Sequence, residues 1–451
     1  MTSISQQTIS SDMTAAYGEM AEQLRAMLVS QPRRAESDAI RLTVRVNDIN
    51  PLQWLKAQAV CPRMYWSDRL GMAEIAGCGI AHRLDGRLPK RSDLLIVGSS
   101  DMRYYGGMRF DGQATRGARW SDFGAASFVI PRFELVRCHG ETDFVCNLVG
   151  MESSVDLDGI IRQLEKLTTT IDQDISSMPH LLERLDAPAQ TEWETRISQV
   201  LDDLHGGVLR KIVLARRIEL QFDREIDPLS MLQRLDTPGC YRFFWESSPG
   251  MAFVSISPER LYRRDGRHIE CEALAGTRPR GKTVAEDNRL GRELLGSDKD
   301  GREHSFVTEA IREALSMICD KVRGGNDITI MKLPRLQHLL ASFKGKLRDG
   351  VSNREILDFL HPTPAVAGYP IDQACDRLTT LESFDRGWYS GPVGWLGSGD
   401  RAEFAVAIRS ALAQGKRLTL YAGAGIVEGS DPKQEWDESE NKMSQFLALF
   451  S

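Results

Sequence analysis

The chain has 451 residues, of which 41% are hydrophobic and 27% are charged, and its formal net charge is −6. A chain of this length can bury a large core as one domain or two, and its mixed, slightly acidic charge argues against nucleic acid or an anionic membrane as partner. Since it has no CxxC pair among eight cysteines, no secretory signal pattern and no apolar run near the roughly 20 residues of a bilayer span, we expect a soluble, cytoplasmic protein with reduced thiols.

Residues 1–185 are predicted to form a β-rich region that completes the fold. The polar segment 1–12 is expected to fray, and apolar spacing predicts a helix over 13–29. Between 40 and 150, alternating apolar and polar residues indicate antiparallel strands in RLTVRV, SDLLIVGSS, ASFVIPRFELVRC and DFVCNLVG. A helix is expected over 155–174, and the polar stretch at 176–190 is the predicted boundary.

Residues 190–451 form the second predicted region, which opens with a helix over 191–205. Strands are predicted at 209–220, 241–246, 251–264, 267–275, 403–411 and 416–422. Further helices are predicted at 284–296, 300–321, 353–360 and 435–449. Because strands and helices come in runs without strict βαβ alternation, the pattern predicts a large α+β fold.

Two glycine-rich segments invite a nucleotide-binding interpretation. GTRPRGKT at 276–283 matches the P-loop pattern, but Pro279 lacks one of the amides that such a loop curls around phosphate. GAGIVEG at 423–429 has one residue too many for a dinucleotide fingerprint. We interpret it as a turn leaving a strand, unless its backbone must approach a ligand closely.

Two predicted helices each point carboxylates inward from their first turns. Glu303 lies four residues before Val307 on the apolar face of one helix, and Glu435, Glu438 and Lys442 share a face of the last helix. A single glutamate at a helix start usually complements the helix dipole or faces solvent. Two such helices together make a hard-cation site plausible, since magnesium takes one or two carboxylates and keeps water or substrate oxygens as its other ligands.

Lys211 and Glu259 are candidates for acid–base chemistry. Lys211 lies within the apolar strand LRKIVLARRIEL, where it either faces outward or shares a cavity with Glu259. Glu259 follows Ser257-Pro258, and it could instead pair with a neighbouring arginine. In one shared cavity, burial would make the lysine a base and the glutamate an acid near neutral pH. Anion contacts would come from Arg409, Lys442 and the amides of Gly423 and Gly425, so the implied ligand is a small carboxylate bridged by a metal.

The ordered motifs KIVLAR, SPERL, LAGT, REH, HPTPAVAGYP, RGWYSGPVGW and ExxxK resemble those of the chorismate-utilising enzymes, and in particular those of isochorismate synthases. The resemblance covers about residues 195–451. It implies the anthranilate-synthase-type, chorismate-binding α+β fold, in which two large antiparallel β-sheets pack face to face with helices outside. It also implies chorismate as the substrate and Mg²⁺ as the cofactor of a monomer or homodimer.

The resemblance assigns a role to each matching residue. Lys211 would activate water, and Glu259 would protonate the departing C4 hydroxyl. Glu303 and Glu438 would hold magnesium, with Glu435 nearby. The positions that match substrate-carboxylate contacts are Arg409, Tyr389, Gly423 and Lys442, and those that match ring-facing positions are His361, Leu274, Ala275, Gly276 and Thr277. One departure from the family pattern is Gly301, which stands where an arginine is usual and is followed by Arg302.

Two positions favour water over ammonia as the nucleophile. Relatives that add ammonia lack a lysine where Lys211 stands, and the aminodeoxychorismate type tends to carry a nucleophilic lysine where this chain has Ala275. Salicylate synthases share the catalytic set and then eliminate pyruvate. Ala273 favours isochorismate as the final product, whereas Arg278-Pro279 favours salicylate, so the alternative stays open. A catalytically inactive chorismate-binding regulator should have lost the base or the acid, and both are present.

Overall fold

The computed structural model describes residues 2–30, 39–47, 49–88, 94, 101–112, 118–150, 154–169, 177–235 and 237–450. Its helices, in chain order, are α1 (Thr2–Ser30), α2 (Pro51–Ala57), α3 (Ser154–Leu164), α4 (Gln190–His205), α5 (Pro228–Arg234), α6 (Val284–Leu295), α7 (Asp298–Ile318), α8 (Asn353–Leu360), α9 (Ile371–Leu381) and α10 (Pro432–Leu447).

The strands come in runs between these helices. In order they are β1 (Ala39–Val46), β2 (Arg63–Ser67), β3 (Ala73–Cys78), β4 (His82–Asp85), β5 (Arg103–Met108), β6 (Ala126–Ile130), β7 (Phe133–Cys138), β8 (Glu141–Val149), β9 (Leu181–Ala187), β10 (Lys211–Phe222), β11 (Tyr241–Ser248), β12 (Met251–Ser257), β13 (Arg260–Asp265), β14 (His268–Pro279), β15 (Cys319–Gly324), β16 (Thr329–Lys332), β17 (Leu336–Leu347), β18 (Gly368–Tyr369), β19 (Pro392–Gly397), β20 (Ala402–Val406), β21 (Ser410–Gln414) and β22 (Arg417–Ile426).

The described strands form two large antiparallel sheets. The first runs in the order β1-β8-β7-β3-β2-β11-β12-β21-β22-β10-β18, with β9 on β10, and the second in the order β15-β17-β14-β13-β20-β19-β5-β6-β4, with β16 on β17. Strands from before residue 150 enter both sheets, because β2 pairs with β11 and β5 pairs with β19. The N-terminal and C-terminal parts of the chain therefore share both sheets.

An aromatic layer joins the inner faces of the two sheets. Trp66, Phe243 and Phe253 of the first sheet pack in one buried cluster with Tyr105 and Val393 of the second. A separate apolar cluster lies between the first sheet and helices α1, α2, α3 and α5, and another between the second sheet and helices α7 and α8. The predicted α+β arrangement, two face-to-face sheets with helices outside, is confirmed.

Two predicted strands each prove to be a pair of strands in different sheets. The run at 251–264 divides at Pro258 into β12 in the first sheet and β13 in the second. The run at 403–411 likewise divides into β20 in the second sheet and β21 in the first. We call the segment between β12 and β13 the first crossover and the segment between β20 and β21 the second crossover, because each passes from one sheet to the other. Backbone hydrogen bonds join them: the N–H of Val406 donates to the carbonyl of Glu259, and the N–H of Ile256 donates to the carbonyl of Arg409, both at 3.1 Å.

Other predicted boundaries also shift. Segment 1–12 was expected to fray, but α1 begins at Thr2, and the helix predicted over 155–174 ends at Leu164. The strands β15 to β17, helix α9 and strand β19 were not predicted at all. Most of the predicted strand SDLLIVGSS lies outside the described residues, as does the segment 170–176.

Candidate active site

A cavity with charged and apolar lining lies where β10, β14, β17 and β22 meet helices α7 and α10. Most of the residues singled out in the sequence lie on its wall. The lining consists of Val213, Glu259, Leu274, Ala275, Gly276, Thr277, Glu303, His338, Ala365, Val366, Tyr389, Ile408, Arg409, Tyr421, Ala422, Gly423, Gly425, Glu438 and Lys442.

Lys211 is fully buried at the start of β10, so it does not face solvent. Its ammonium nitrogen lies 3.1 Å from the Oε1 atom of Glu303, a residue of the cavity wall. Gly425 makes this approach possible, because a Cβ atom there would lie 2.2 Å from the same carboxylate oxygen and 3.2 Å from the Lys211 Cε atom. The glycine therefore admits the carboxylate and the lysine side by side, which explains one of the glycines in GAGIVEG.

Glu259 lies in the crossover between β12 and β13, and it is almost completely buried. Burial raises the pKa of Glu259 to about 8, although the positive charges of Lys211, Arg409 and Lys442 act in the opposite direction. Arg260 pairs instead with Glu270 and Glu272, so Glu259 is not the partner of that neighbouring arginine. The carboxyl group is therefore largely protonated at neutral pH and can donate a proton.

Arg409 presents a buried guanidinium to the cavity from the second crossover, with a backbone φ of +49°. Its Nη2 donates to His338 Nε2 at 2.7 Å. An arginine can only donate, so His338 carries its proton on Nδ1, which lies 3.1 Å from the carbonyl oxygen of Gly276. Burial and the neighbouring Arg409 hold the pKa of His338 well below its usual value, consistent with a neutral ring.

The segment Leu274–Thr277 forms one wall through a β-bulge. The register between β14 and β17 shifts between Ala275 and Thr277, and Gly276 adopts a φ of +70°. A bulge turns side chains that would otherwise alternate across the sheet, and glycine tolerates the left-handed conformation without strain. As predicted, Leu274, Ala275, Gly276 and Thr277 all line the cavity.

Helix α10 brings one carboxylate and one ammonium group to the cavity. Lys442 lies 2.7 Å from Glu438 and donates to the carbonyl of Gly423 at 2.9 Å. Glu435 is buried too, but it is held by Lys299 of α7 at 2.6 Å and does not line the cavity. Buried and close to Glu438, it has a raised pKa. The ion pair of Glu435 with Lys299 therefore links α10 to α7, the two helices that carry the cavity carboxylates Glu438 and Glu303.

The donor set fits a magnesium ion that shares its coordination with a ligand. Within the described ranges, no group of three or more His, Cys, Asp or Glu side chains could enclose a metal. Glu303 and Glu438 nevertheless reach the same cavity from two helices, and each side chain keeps some exposed surface, 15% and 29% respectively. Two carboxylates with remaining positions filled by water or substrate oxygens are typical of magnesium sites.

Several predicted residues lie elsewhere. His361 was predicted to face a substrate ring, but it lines another cavity, where its Nε2 lies 3.0 Å from the carbonyl of Phe110. Gly301 faces open space on α7, and Arg302 reaches Glu428 at the surface at 3.8 Å. Arg302 therefore does not bring a substitute guanidinium into the cavity.

The P-loop interpretation of GTRPRGKT is wrong. Gly276 to Pro279 belong to strand β14. The amide of Gly281 donates to the carboxylate of Asp287, so this loop uses an amide internally that a P-loop would offer to phosphate. Several lining residues were not predicted, and His338 is the titratable one among them; its signal in the sequence is one polar ring in the apolar strand LQHLLASF.

Residues 22–451 match the family described as chorismate binding enzyme. The chain is 33% identical to the chloroplastic isochorismate synthase of Catharanthus roseus, over 94% of the chain and 83% of that protein. It is 31% identical to the isochorismate synthase MenF of Haemophilus influenzae, over 99% of the chain and 98% of that protein. The chain belongs to the chorismate-binding enzyme family.

The solved structures agree with this family membership. The menaquinone-specific isochorismate synthase MenF of Escherichia coli superposes with a TM-score of 0.86 at 29% identity, covering 98% of this chain and all of that one. Anthranilate synthase component I of Streptococcus pneumoniae shares the fold, with a TM-score of 0.68 at 20% identity over 83% of this chain and 92% of that one. The resemblance to chorismate-utilising enzymes drawn from the motifs is thus confirmed.

Glu259 should leave a pH signature in the stability of this chorismate-binding enzyme. Its pKa is about 8 in the folded protein against an ordinary 4.5, so the folded state holds the extra proton between these values. Relative to Glu259→Gln, the wild-type free energy of unfolding should fall as pH rises from 4.5 to 8, by up to about 1.4 kcal/mol per pH unit. Urea unfolding at several pH values measures this difference.

The control is Glu293→Gln, which removes a half-exposed carboxylate paired with Arg289 on α6. It should show no comparable change with pH in this range. A Glu259→Gln difference that stays constant from pH 4.5 to 8 would mean that Glu259 is ionised in the folded protein.

Proposed function

We propose that the protein is an isochorismate synthase, which converts chorismate into isochorismate. The observation that carries the proposal is one cavity whose wall holds Glu259, a buried carboxyl with a raised pKa, and Glu303. Lys211 does not itself line the cavity, but its nitrogen lies buried beside Glu303, 3.1 Å from the carboxylate. The names of the relatives support it, since isochorismate synthases cover nearly the whole chain at 31 to 33% identity.

The proposed reaction moves a hydroxyl group around the ring by addition and loss of water. In the reacting state Lys211 is a neutral amine; it accepts a proton from water, whose oxygen then bonds to C2 of chorismate. The ring double bonds shift, and the C4–O bond breaks. Glu259 gives its proton to the departing hydroxyl, which leaves as water. Charges and atoms balance, since one water enters, one leaves, and the proton taken by Lys211 replaces the one lost by Glu259.

The other polar groups of the cavity would hold the two carboxylates of the substrate. Arg409 is the strongest candidate, because its Nε has no hydrogen-bond partner among the described residues although the side chain is buried. Lys442 and the backbone near Gly423 lie on the same wall, and Tyr389 stacks on Tyr421 beside them. Such fixed donors stabilise charge without reorganising during the reaction.

Glu303 and Glu438 would hold Mg²⁺. The ion would supply positive charge that binds a substrate carboxylate and fixes the ring in place. Glu303 also neighbours Lys211, so the same carboxylate orients the proposed base. The ion pair between the buried Glu435 and the partly exposed Lys299 links the two ligand-bearing helices.

Lys211→Ala should lower kcat by about 10² to 10⁴, the usual contribution of a general base, while chorismate still binds. Turnover is followed by chromatography of the product, and binding by equilibrium dialysis. Lys346→Ala removes an exposed lysine of β17 and should leave both quantities unchanged. Near-normal turnover of Lys211→Ala would remove Lys211 from the role of base.

Activity should disappear in EDTA and return with Mg²⁺. Glu303→Gln and Glu438→Gln should each raise the magnesium concentration needed for half-maximal activity by about tenfold or more, because each removes one of few protein ligands. Glu428→Gln, at a largely exposed glutamate just beyond β22, is the matched control and should behave as wild type. Full activity in EDTA would contradict the metal site.

The product itself decides between the proposed activity and salicylate synthesis. We expect isochorismate to be released from chorismate, the reaction to run back from isochorismate, and little salicylate to form at neutral pH. Elimination of pyruvate requires an additional hydrogen transfer to the enolpyruvyl carbon. Stoichiometric pyruvate together with salicylate fluorescence, appearing without a lag, would establish salicylate synthase instead.

A further inference from the structure

A second cavity lies against the active site and shares two of its cations. It is lined by α5, the turn between β16 and β17, and α10, and both Arg409 and Lys442 line this cavity as well as the active-site cavity. Arg234 and Arg335 add two further positive charges. We call this cavity the basic vestibule, defined by Arg234, Arg335, Arg409 and Lys442.

The charged side chains that line the basic vestibule are all basic among the described residues, and one of them, Lys442, also contacts Glu438 of the active-site wall. Among the described residues that line it there is no aspartate or glutamate, whereas the whole chain carries a net charge of −6. A cleft lined by one sign of charge concentrates ligands of the opposite sign and raises their association rate by roughly 10 to 10³. The local positive charge of the vestibule should therefore attract anions, although the net charge of the whole chain is negative.

Two buried donors on its wall lack partners. Gln445 Nε2 and Arg409 Nε form no hydrogen bond among the residues that the structure describes. Arg409 is only 8% exposed. A buried donor left without a partner is costly, so such groups usually meet water or a ligand. The basic vestibule thus offers donors as well as charge.

Hydrogen bonds fix the conformation of the turn that carries Arg335. The N–H of Leu333 donates to the carbonyl of Leu336 at 2.8 Å, and the N–H of Arg280 donates to the carbonyl of Arg335 at 2.9 Å. The Arg280 side chain also donates to the carbonyl of Leu333 at 2.6 Å. The segment 276–283, which resembles a P-loop in sequence only, thus holds this turn through Arg280. Arg335 lies three residues before His338, roughly 10 Å along an extended strand from the active-site wall.

We propose that the basic vestibule is the entry route for the substrate, a small organic dicarboxylate, which passes between Arg335 and α10 to reach Arg409 and Lys442. The substrate class rests on the proposed function. Arg335 acts on the charge of the incoming anion and takes no part in the chemistry. Its contribution should therefore appear in association, and the catalytic step should be unaffected.

The test compares Arg335→Glu, Arg335→Lys and wild type by rapid mixing with chorismate, following intrinsic protein fluorescence, and by steady-state turnover. At about 10 mM ionic strength, Arg335→Glu should lower the association rate and kcat/KM by about tenfold while kcat is unchanged. At about 0.5 M salt the difference should shrink to less than about twofold, since charges are then screened within a few ångströms. Arg335→Lys keeps the charge and should match wild type.

The matched control is Lys346→Glu, which makes the same charge change near the other end of β17, roughly 35 Å along the strand. It should leave the association rate within about twofold of wild type. Ser444→Trp narrows the vestibule from α10 without changing charge, and it should slow association at all salt concentrations. Equal losses in Arg335→Glu and Lys346→Glu would mean that only net charge matters, and would overturn the proposal.

Unchanged association in both Arg335→Glu and Ser444→Trp would also overturn it. If the proposed function is wrong but the entry route is right, the measurements give a different result. In that case the wild-type protein binds chorismate but releases no isochorismate, and the association rates of the variants still test the vestibule. If the wild type does not bind chorismate at all, the dicarboxylate route is overturned together with the proposed function.

Discussion

The active site depends on two chain segments that cross from one sheet to the other side by side. Each crossover accepts a backbone hydrogen bond from the other, from Val406 to Glu259 and from Ile256 to Arg409. The main chain therefore fixes the backbone positions of the buried acid and the buried arginine next to each other, and the contact with His338 holds the guanidinium. The unusual φ of Arg409 marks the same place, since backbone strain of this kind persists only where the surroundings fix it.

The electrostatics of the cavity follow from this arrangement. Lys211 contacts Glu303 and Lys442 contacts Glu438, so each of these two basic side chains has a carboxylate beside it. Among the described residues, no carboxylate forms an ion pair with Arg409, and Glu259 avoids an unpaired charge by staying protonated. A buried charge without a counter-charge is costly. The positive charge of Arg409 is thus left for a ligand that carries negative charge.

The fold class and most of the site could be predicted because their signals are local. The motif around Lys211, the LAGT bulge and the two carboxylate-bearing helices each lie within one element. What could not be predicted depends on the third dimension. The crossovers at Pro258 and near Arg409 read as continuous strands, because a strand that changes sheets keeps its apolar pattern.

Single histidines were the other source of error. His338 and His361 both lie in apolar surroundings, and nothing in sequence spacing tells which one faces the cavity. Only the pairing of β14 with β17 places His338 opposite Thr277. His361 directly follows the last residue of α8, and its ring contacts the carbonyl of Phe110 instead. A neutral buried ring is a poor sequence marker, since its role is set by the strand beside it.

The sharing of both sheets between early and late strands has a consequence for folding. β5 pairs with β19, and β10 pairs with β22. The partners of each pair are far apart in the sequence, so these pairs can form only after a long stretch of chain has been brought together. Contacts so distant in sequence make folding slow and leave strand edges open meanwhile. A fragment containing only residues 190–451 would keep every catalytic candidate yet expose the edges of β11 and β19. We therefore expect such a fragment to aggregate before it can form the cavity.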